Sequence, residues 1–569
     1  MAEPSATVAL PGLEWRSRDG FYLLISSAFI SVLSLALPLT LMQVFDRILG
    51  NQATDTLAWL IGGCLLALLL EFGLTLGRAA ISGSMAARFE HLAGCQAINA
   101  ILGCRLDQFA REGLGAHLDR LSAIGALRGF YSGQAFQAAL DLPFALLLLV
   151  VTAMLGGRLV LVPLATALAL VGVVLYCDAR FRVARQQRLR SNDQRSSFAL
   201  EVLSRIHAAK AISMEEPLLR RHERLQADST VADLEASEWT ALPNHLGAFF
   251  SQVAVFGVIG LGASQVSDGV LTLGTLTACS LLSARVMQPI QSLSGFLLRR
   301  SEARVARQRY GEIVALEPEV KPGLPPVPED IAGGLELSGV CFRYAPGYPQ
   351  VISDLSLVVP AKTMVAIEGA PSAGTTTLLR LLMGALTPQQ GHVLIDGYNL
   401  AGWDPTSLRG RVEYLPPAGT LFKGTLLENI ALFHPLRHEA ALDAAALVGL
   451  DELVAALPQG YETPVTAQSN SLLPSGLIQR IAIARALVVR PRLLLLDKTE
   501  AAMDADSQRV LRWLLERLHG TCTVVMVTAT PSLQALADQS FVLHQGQLTP
   551  RAATAVTAAV HRPAGSSRG

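Results

Sequence analysis

The chain has 569 residues, of which 51% are hydrophobic and only 16% charged, a balance that excludes an ordinary soluble protein and, at this length, a single compact core. The 46 Lys and Arg equal the 46 Asp and Glu, so there is no net field to draw in nucleic acid or an acidic partner. Seven cysteines, from Cys64 to Cys522, stand far apart with no C-x-x-C pair, which argues against a disulfide framework or a zinc site.

In chain order, residues 1–20 form a leader too polar for a signal peptide. The apolar run behind it is too long and lacks a small-residue exit, so a retained span is expected, with no N-terminal peptidase domain before it. Six stretches are nearly free of charge over about the ~20 residues that a hydrocarbon core demands. They are Phe21 to Phe45, Thr56 to Gly77, Leu142 to Gly157, Leu159 to Cys177, Leu246 to Val266 and Val270 to Ala284.

The third and fourth meet at a Gly157-Arg158 corner, and Ser267-Asp268-Gly269 divides the last two. The long intervening loops are rich in arginine, with Arg180, Arg182, Arg185, Arg188 and Arg190 in one run. Positive charge is retained in the cytoplasm, so both termini are expected there. These loops have helical composition and should prolong the spans, with reversals at Gly113-Leu114-Gly115 and Met214-Glu215-Glu216-Pro217. Glu71 and Asp141 fall in or beside spans, where a carboxylate either lines a polar path or is satisfied within its own bundle.

Residues 317–334 (EPEVKPGLPPVPEDIAGG) resist helix and strand alike and read as a linker. From 335 to 549 the pattern changes to α/β. Strand-like runs are Met364 to Glu368, Leu493 to Asp497 and Thr523 to Thr528; helical runs are Thr376 to Met383, Ile478 to Val488 and Ser507 to Leu518. The residues from 550 to 569 have the composition of a disordered tail. Residues 21–316 are thus expected to form the membrane domain and 335–549 the α/β domain.

The segment that directs the functional reading is a strand followed by GAPSAGTTTLLR, Gly369 to Arg380. Gly369 and Gly374 have the spacing of a P-loop, G-x-x-x-x-G-K-[ST], whose backbone amides cradle phosphate while a lysine reaches the outer phosphates and a hydroxyl holds Mg²⁺. Thr376 stands at the hydroxyl position, and Thr375 occupies the place of the lysine.

Here the chain resembles the ABC exporters. Phe342-Arg343-Tyr344 is similar to the loop whose aromatic ring stacks on adenine. LLLLDKTEAAMD, Leu493 to Asp504, resembles the Walker B strand and D-loop, with Asp497 as the metal-associated carboxylate. LPSGL, Leu473 to Leu477, stands in the place of the family signature, ahead of IQRIAIARAL. PLTLMQVFDRIL, DLPFALLLLV and AKAISMEEPLLRRHERLQ in the apolar half resemble the bacterial type I secretion exporters, the shorter protease-exporting branch in particular.

The resemblance implies a six-span helical membrane domain of the type I ABC exporter fold, fused to an α/β P-loop nucleotide-binding domain in the bacterial inner membrane. It implies ATP and Mg²⁺ as ligands, held by Tyr344, Gly369, Gly374, Thr375, Thr376, Thr377 and Asp497, with Thr376 and Asp497 on the metal. It also implies an adaptor, an outer-membrane duct and a polypeptide cargo.

Five features of the family's nucleotide site are missing at the matching positions. The lysine is Thr375, the catalytic carboxylate after Asp497 is Lys498, the sensing histidine is Ala529, and the Q-loop glutamine is Pro417. The signature serine and glycine are Pro474 and Ser475. Losing one charge-assisted bond of roughly 1.5 to 3 kcal/mol weakens binding ~10- to 100-fold. Pro371 and Ser372 depart as well. Lys498 is no base; it would repel Mg²⁺, or lend the phosphates the charge that Thr375 lacks. Glu500, two residues further along a strand, would lie out of reach.

No catalytic residue is therefore assigned. A half-transporter needing a second ABC subunit, as a heterodimer, is the expectation. The alternatives are a non-transporting regulatory or assembly protein and an autonomous ATPase with divergent residues.

Overall fold

A computed structural model describes residues 17–49, 54–111, 114–320, 323–328, 330–466 and 473–551. The expected tail beyond 551, most of the expected leader and Gly113 of the first reversal lie outside these residues. Two compact units are present. One holds the residues up to Leu102 together with Arg111–Leu316, the other Gly103–Ala110 together with the residues from Glu317 onward.

The first unit is helical: α1 (Ser17–Leu33), α2 (Ala36–Gln43), α3 (Thr54–Leu102), α5 (Leu114–Ser132), α6 (Gln134–Gly156), α7 (Leu161–Ser204), α8 (Ile206–Ala211), α9 (Glu215–Ser267) and α10 (Leu273–Val314), with α4 (Leu106–Arg111) at the boundary with the second unit. The expected span from Phe21 to Phe45 is two helices rather than one. Pro38 has no N–H to give the Ser34 carbonyl four residues back, and Ser34 and Leu35 form a turn between α1 and α2. A π-helical turn, Val44–Ile48, follows. From it Asp46 accepts the Thr272 hydroxyl at 2.6 Å and the Gly274 N–H at 2.8 Å, anchoring the start of α10.

Gly157, at φ +53°, ends α6 where the Gly157-Arg158 corner was expected. Trp59, Leu69 and Met154 are 86%, 68% and 81% exposed. Large apolar side chains turned outward in such number suit hydrocarbon surroundings rather than water. Among the described residues, four helical stretches, Asp19–Ile48, Asp55–Leu102, Gly115–Ser204 and Glu215–Ser267, are long and apolar enough to cross a membrane. The third contains two expected spans, in α6 and α7. Helix α10, which carries the sixth together with Arg285, Gln288 and Gln291, is not among them. Six crossings therefore stand as an expectation.

In the second unit the proline-rich stretch is tied down. Glu319 N–H donates to the Gly103 carbonyl at 2.8 Å, Val327 N–H to Ser407 Oγ at 2.9 Å, and the amides of Ala332, Gly333 and Gly334 converge on the Asp396 carboxylate. Val327 and Ile331 are buried in the core. The described residues of the stretch thus form a strap on the α/β unit.

Strands β1 (Leu335–Phe342), β2 (Ile352–Val359), β4 (Gln390–Ile395) and β5 (Tyr398–Asn399) make an antiparallel sheet in the order β2-β1-β4-β5. The main sheet uses β3 (Met364–Gly369), β6 (Val412–Leu415), β9 (Leu493–Asp497), β10 (Thr523–Val527), β11 (Gln539–His544) and β12 (Gln547–Pro550). Its order is β12-β11-β3-β10-β9-β6, parallel except for the β11–β12 hairpin. A small pair, β7 (Gly424–Thr425) with β8 (Pro464–Val465), lies apart.

Helix α11 (Thr375–Leu382) follows β3; α12 (Pro405–Arg409), α13 (Leu426–Ile430), α14 (His438–Leu447) and α15 (Leu450–Ala455) precede α16 (Ser475–Val488), α17 (Ala505–Leu518) and α18 (Pro531–Gln534). Alternate residues of the buried strands enter two cores. Val365, Ile367, Leu495 and Val525 pack with Leu378 and Leu382 of α11; Ala366, Leu494, Leu496 and Met526 pack with Ile481 of α16 and Leu514 of α17.

Candidate functional site

Parallel strands bring the ends of β3, β6, β9 and β10 to one edge of the sheet, where open α/β sheets bind ligands. Val527 is level with both Ile367 and Asp497, so the loop after Gly369 and the carboxylate at the end of β9 are set side by side by register.

The loop from Gly369 to Gly374 turns tightly enough to exclude side chains at both ends. A Cβ on Gly369 would lie 2.6 Å from Thr375 Cγ2. Gly374, at φ +98°, would place one 2.9 Å from Val351 Cγ1. Between them Ser372 takes a left-handed φ of +69°, a conformation that costs a non-glycine residue of order 1 kcal/mol. The first bond of α11 runs from Leu378 N–H to the Gly374 carbonyl at 2.9 Å. The amides of Thr375, Thr376 and Thr377 therefore have no carbonyl within the helix and remain at its positive end, which suits an anion. Thr375 itself is buried, and among the described residues no hydrogen bond engages its hydroxyl.

Asp497 is fully buried. Its Oδ2 accepts the Thr376 hydroxyl at 2.8 Å and the Tyr414 hydroxyl at 2.9 Å. Its Oδ1 has no hydrogen-bond partner among the described residues. A buried carboxylate oxygen left unpaired beside a threonine hydroxyl is the donor set of a hard cation such as Mg²⁺, so the two residues expected on a metal do fit one. Tyr344 and Thr377, also expected at the ligand, meet through their hydroxyls at 2.9 Å, with the tyrosine about half exposed.

Tyr414 was not among the expected site residues. Burial first, and then the charge and hydrogen bond of Asp497, push its phenol well above the usual range, while Arg380 opposes them. Tyr414 lies in the run EYLPPAGTLF, on a four-residue edge strand too short for alternation of polarity to show which side chains face the site.

The residues after Asp497 do not continue the strand, which corrects the geometry expected for Glu500. Strand β9 ends at Asp497, Lys498 takes a left-handed φ of +48°, and a 3-10 turn spans Thr499–Ala502. Glu500 folds inward and accepts the hydroxyls of Thr528 and Thr530. Both bonds fall on its Oε1 and close the turn after β10. Lys498 is partly buried, and no carboxylate among the described residues pairs with it. Ala529 and Pro417 are exposed at the same edge of the sheet. Pro474 is the N-cap of α16, with no side-chain cap bond.

Below this edge, loss of solvent raises Glu413 on β6 to about 7, against the opposing pull of Arg485 and Arg437. A carboxyl whose folded value exceeds its unfolded one contributes stability at low pH that is lost as pH rises through the folded value. Glu413→Gln should therefore unfold at higher temperature than the parent at pH 8 and no differently near pH 4. Equal shifts at both pH values would show that burial of this charge is not the cause.

Comparison with known proteins agrees with this arrangement. Residues 21–290 match the family model described as ABC transporter transmembrane region, and residues 352–501 the one described as ABC transporter. The chain is 29% identical over 529 residues to the cyclolysin secretion/processing ATP-binding protein CyaB of Bordetella pertussis, covering 92% of this chain and 74% of that one. It is 27% identical over 522 residues to the alpha-hemolysin translocation ATP-binding protein HlyB of Escherichia coli O157:H7, covering 91% and 74%. A solved structure of a bacterial Atm1-family ABC exporter with ATP bound superposes with a TM-score of 0.82 at 22% identity, over 94% of this chain and 95% of that one. Two family models in the right order, together with a fold shared with an ABC exporter along nearly the whole chain, make this a multi-pass membrane protein of the ABC transporter family, with a transmembrane domain of exporter fold fused to a nucleotide-binding domain.

Proposed function

We propose that the chain is one subunit of a type I secretion exporter, moving polypeptide across the inner membrane with a nucleotide site that binds ATP weakly and does not hydrolyse it unaided. The observation that carries this is at the end of β9. A partly buried lysine follows Asp497, and Glu500, the nearest alternative base in sequence, is held by Thr528 and Thr530. A protonated amine cannot take a proton from water.

What remains is a holding site. The free amides at the start of α11 receive phosphate, Thr376 and the unpaired Asp497 Oδ1 hold Mg²⁺, and Tyr344 offers its ring to adenine. Bound Mg²⁺ neutralises phosphate charge. Both hydroxyls bond to Asp497 Oδ2 and leave Oδ1 open, and Thr376 keeps its oxygen lone pairs for a cation while it donates to Asp497. Turnover then requires a partner that brings an intact P-loop, base and histidine, and a heterodimer follows. An adaptor and an outer-membrane duct complete the path, by likeness to the secretion and translocation proteins above.

Purification from the native membrane tests the reading: a second ABC subunit should accompany the chain in equal amount. Recovery of the chain with no other ABC subunit would favour a regulatory or assembly role. Cysteine labelling in the same membranes should reach Asp268 from outside only, since the arginine-rich loops place both ends in the cytoplasm.

A further inference from the structure

Helices α1, α3, α6 and α10 line an open-sided cavity of about 440 Å³ within the helical unit. Two ion pairs stand in its wall, and they differ in tightness. Arg78 is more than nine-tenths buried, and its Nη1 donates to Asp141 at 2.6 Å and to Ser27 at 3.0 Å. It ties α1, α3 and α6 together and reads as a strut. Arg285 and Glu71 stand 4.0 Å apart, at the limit of an ion pair, and Glu71 Oε2 is buried with no hydrogen-bond partner. Among the described residues, no hydrogen bond engages the side-chain amides of Gln137 and Gln288 on the same wall.

An ionisable group within a membrane-spanning bundle is costly unless paired, and an under-paired carboxylate there points to a ligand. The groups without hydrogen bonds include both donors and acceptors, the buried Arg78 Nε being one more donor. Arg285 donates, Glu71 accepts, and each glutamine amide does both. A charged ligand would meet one member of the open pair with attraction and the other with repulsion. A peptide main chain offers N–H and C=O in equal number, carries no charge, and can insert between Arg285 and Glu71 while bonding to both.

We infer that this cavity is a binding site for the main chain of an extended polypeptide, read through its amides and indifferent to cargo side-chain charge. This rests on the polypeptide-export reading above and adds where and through which atoms the cargo is held.

The test is equilibrium binding of a radiolabelled, acetylated and amidated decapeptide of Gly, Ser and Asn to the full-length chain in lipid nanodiscs, with the same peptide N-methylated along its backbone as the second probe. The unmethylated peptide should bind and the methylated one bind about 10- to 100-fold more weakly, as expected for lost hydrogen bonds to charged groups. The double variant Glu71→Leu with Arg285→Leu, which keeps the net charge and leaves Arg78 and Asp141 in place, should lose the unmethylated peptide by a similar factor. If that variant fails to fold, Gln137→Leu with Gln288→Leu should show a smaller loss in the same direction. Undiminished binding by a folded variant would overturn the site while leaving polypeptide export standing. Equal binding of the methylated peptide would overturn main-chain recognition. If the unaltered chain binds neither peptide, the site is overturned, while the export reading is decided separately by the purification from the native membrane.

Discussion

A heterodimer in which this chain carries Pro474→Ser and Ser475→Gly should hydrolyse ATP about tenfold or more faster than the heterodimer with the native sequence, the gain of one bond to a charged group. By resemblance, ABC nucleotide sites are composites in which the signature of one subunit closes over the P-loop of the other, so the start of α16 would face the partner's phosphates. Pro474 has no N–H to give and caps nothing, while both it and Ser475 are exposed and open to approach. A serine at an N-cap also stabilises the helix by ~1 kcal/mol, so the change should not harm the fold.

Leu477 is best left alone. It is only 6% exposed and belongs to the core beneath α16, and an amide in its place would be buried at a cost of about 1 to 3 kcal/mol if unpaired. Steady-state phosphate release from a verified heterodimer is the measurement. An unchanged rate would mean that the start of α16 does not complete the partner's site.

Without a partner, the purified chain should release no phosphate above background, and Lys498→Glu should not change this. A carboxylate at 498 would still face Asp497 with its Oδ2 held by Tyr414 and Thr376, an exposed Ala529 where a histidine would be needed, and Pro417 beyond β6. Groups that act together in catalysis are strongly non-additive, so one repair among several lesions yields little. Nucleotide binding, measured separately by equilibrium dialysis, should be weak and Mg²⁺-dependent. Substantial Mg²⁺-dependent turnover by the chain alone would remove the need for a second subunit and make this an autonomous enzyme with divergent residues.

Much of the molecule was legible in the sequence because the signals are local. Apart from the first, which Pro38 divides between α1 and α2, the apolar runs lie in long helices, and Gly157 ends a helix because only a residue tolerant of positive φ fits there. The strand runs from Met364, Leu493 and Thr523 became β3, β9 and β10, and the loop from Gly369 to Gly374 took the turn that its two glycines permit. The positions of Thr376 and Asp497 could be named because each directly adjoins such an element.

Only tertiary structure decided the rest, for reasons of register and side-chain direction. Strands β9 and β10 are buried throughout, so their sequences carry no alternation to say which residues face α11 and which face α16. Tyr414 was hidden because β6 is only four residues long and nothing local links it to Asp497, which its hydroxyl meets across 83 positions of sequence. Glu500 was misplaced because a left-handed residue at 498 turns the chain inward, a conformation that lysine does not announce. Glu71 and Arg285 lie on separate helices, and nothing in either helix fixes the distance between them. The packing of the bundle left that pair open and closed the one between Arg78 and Asp141.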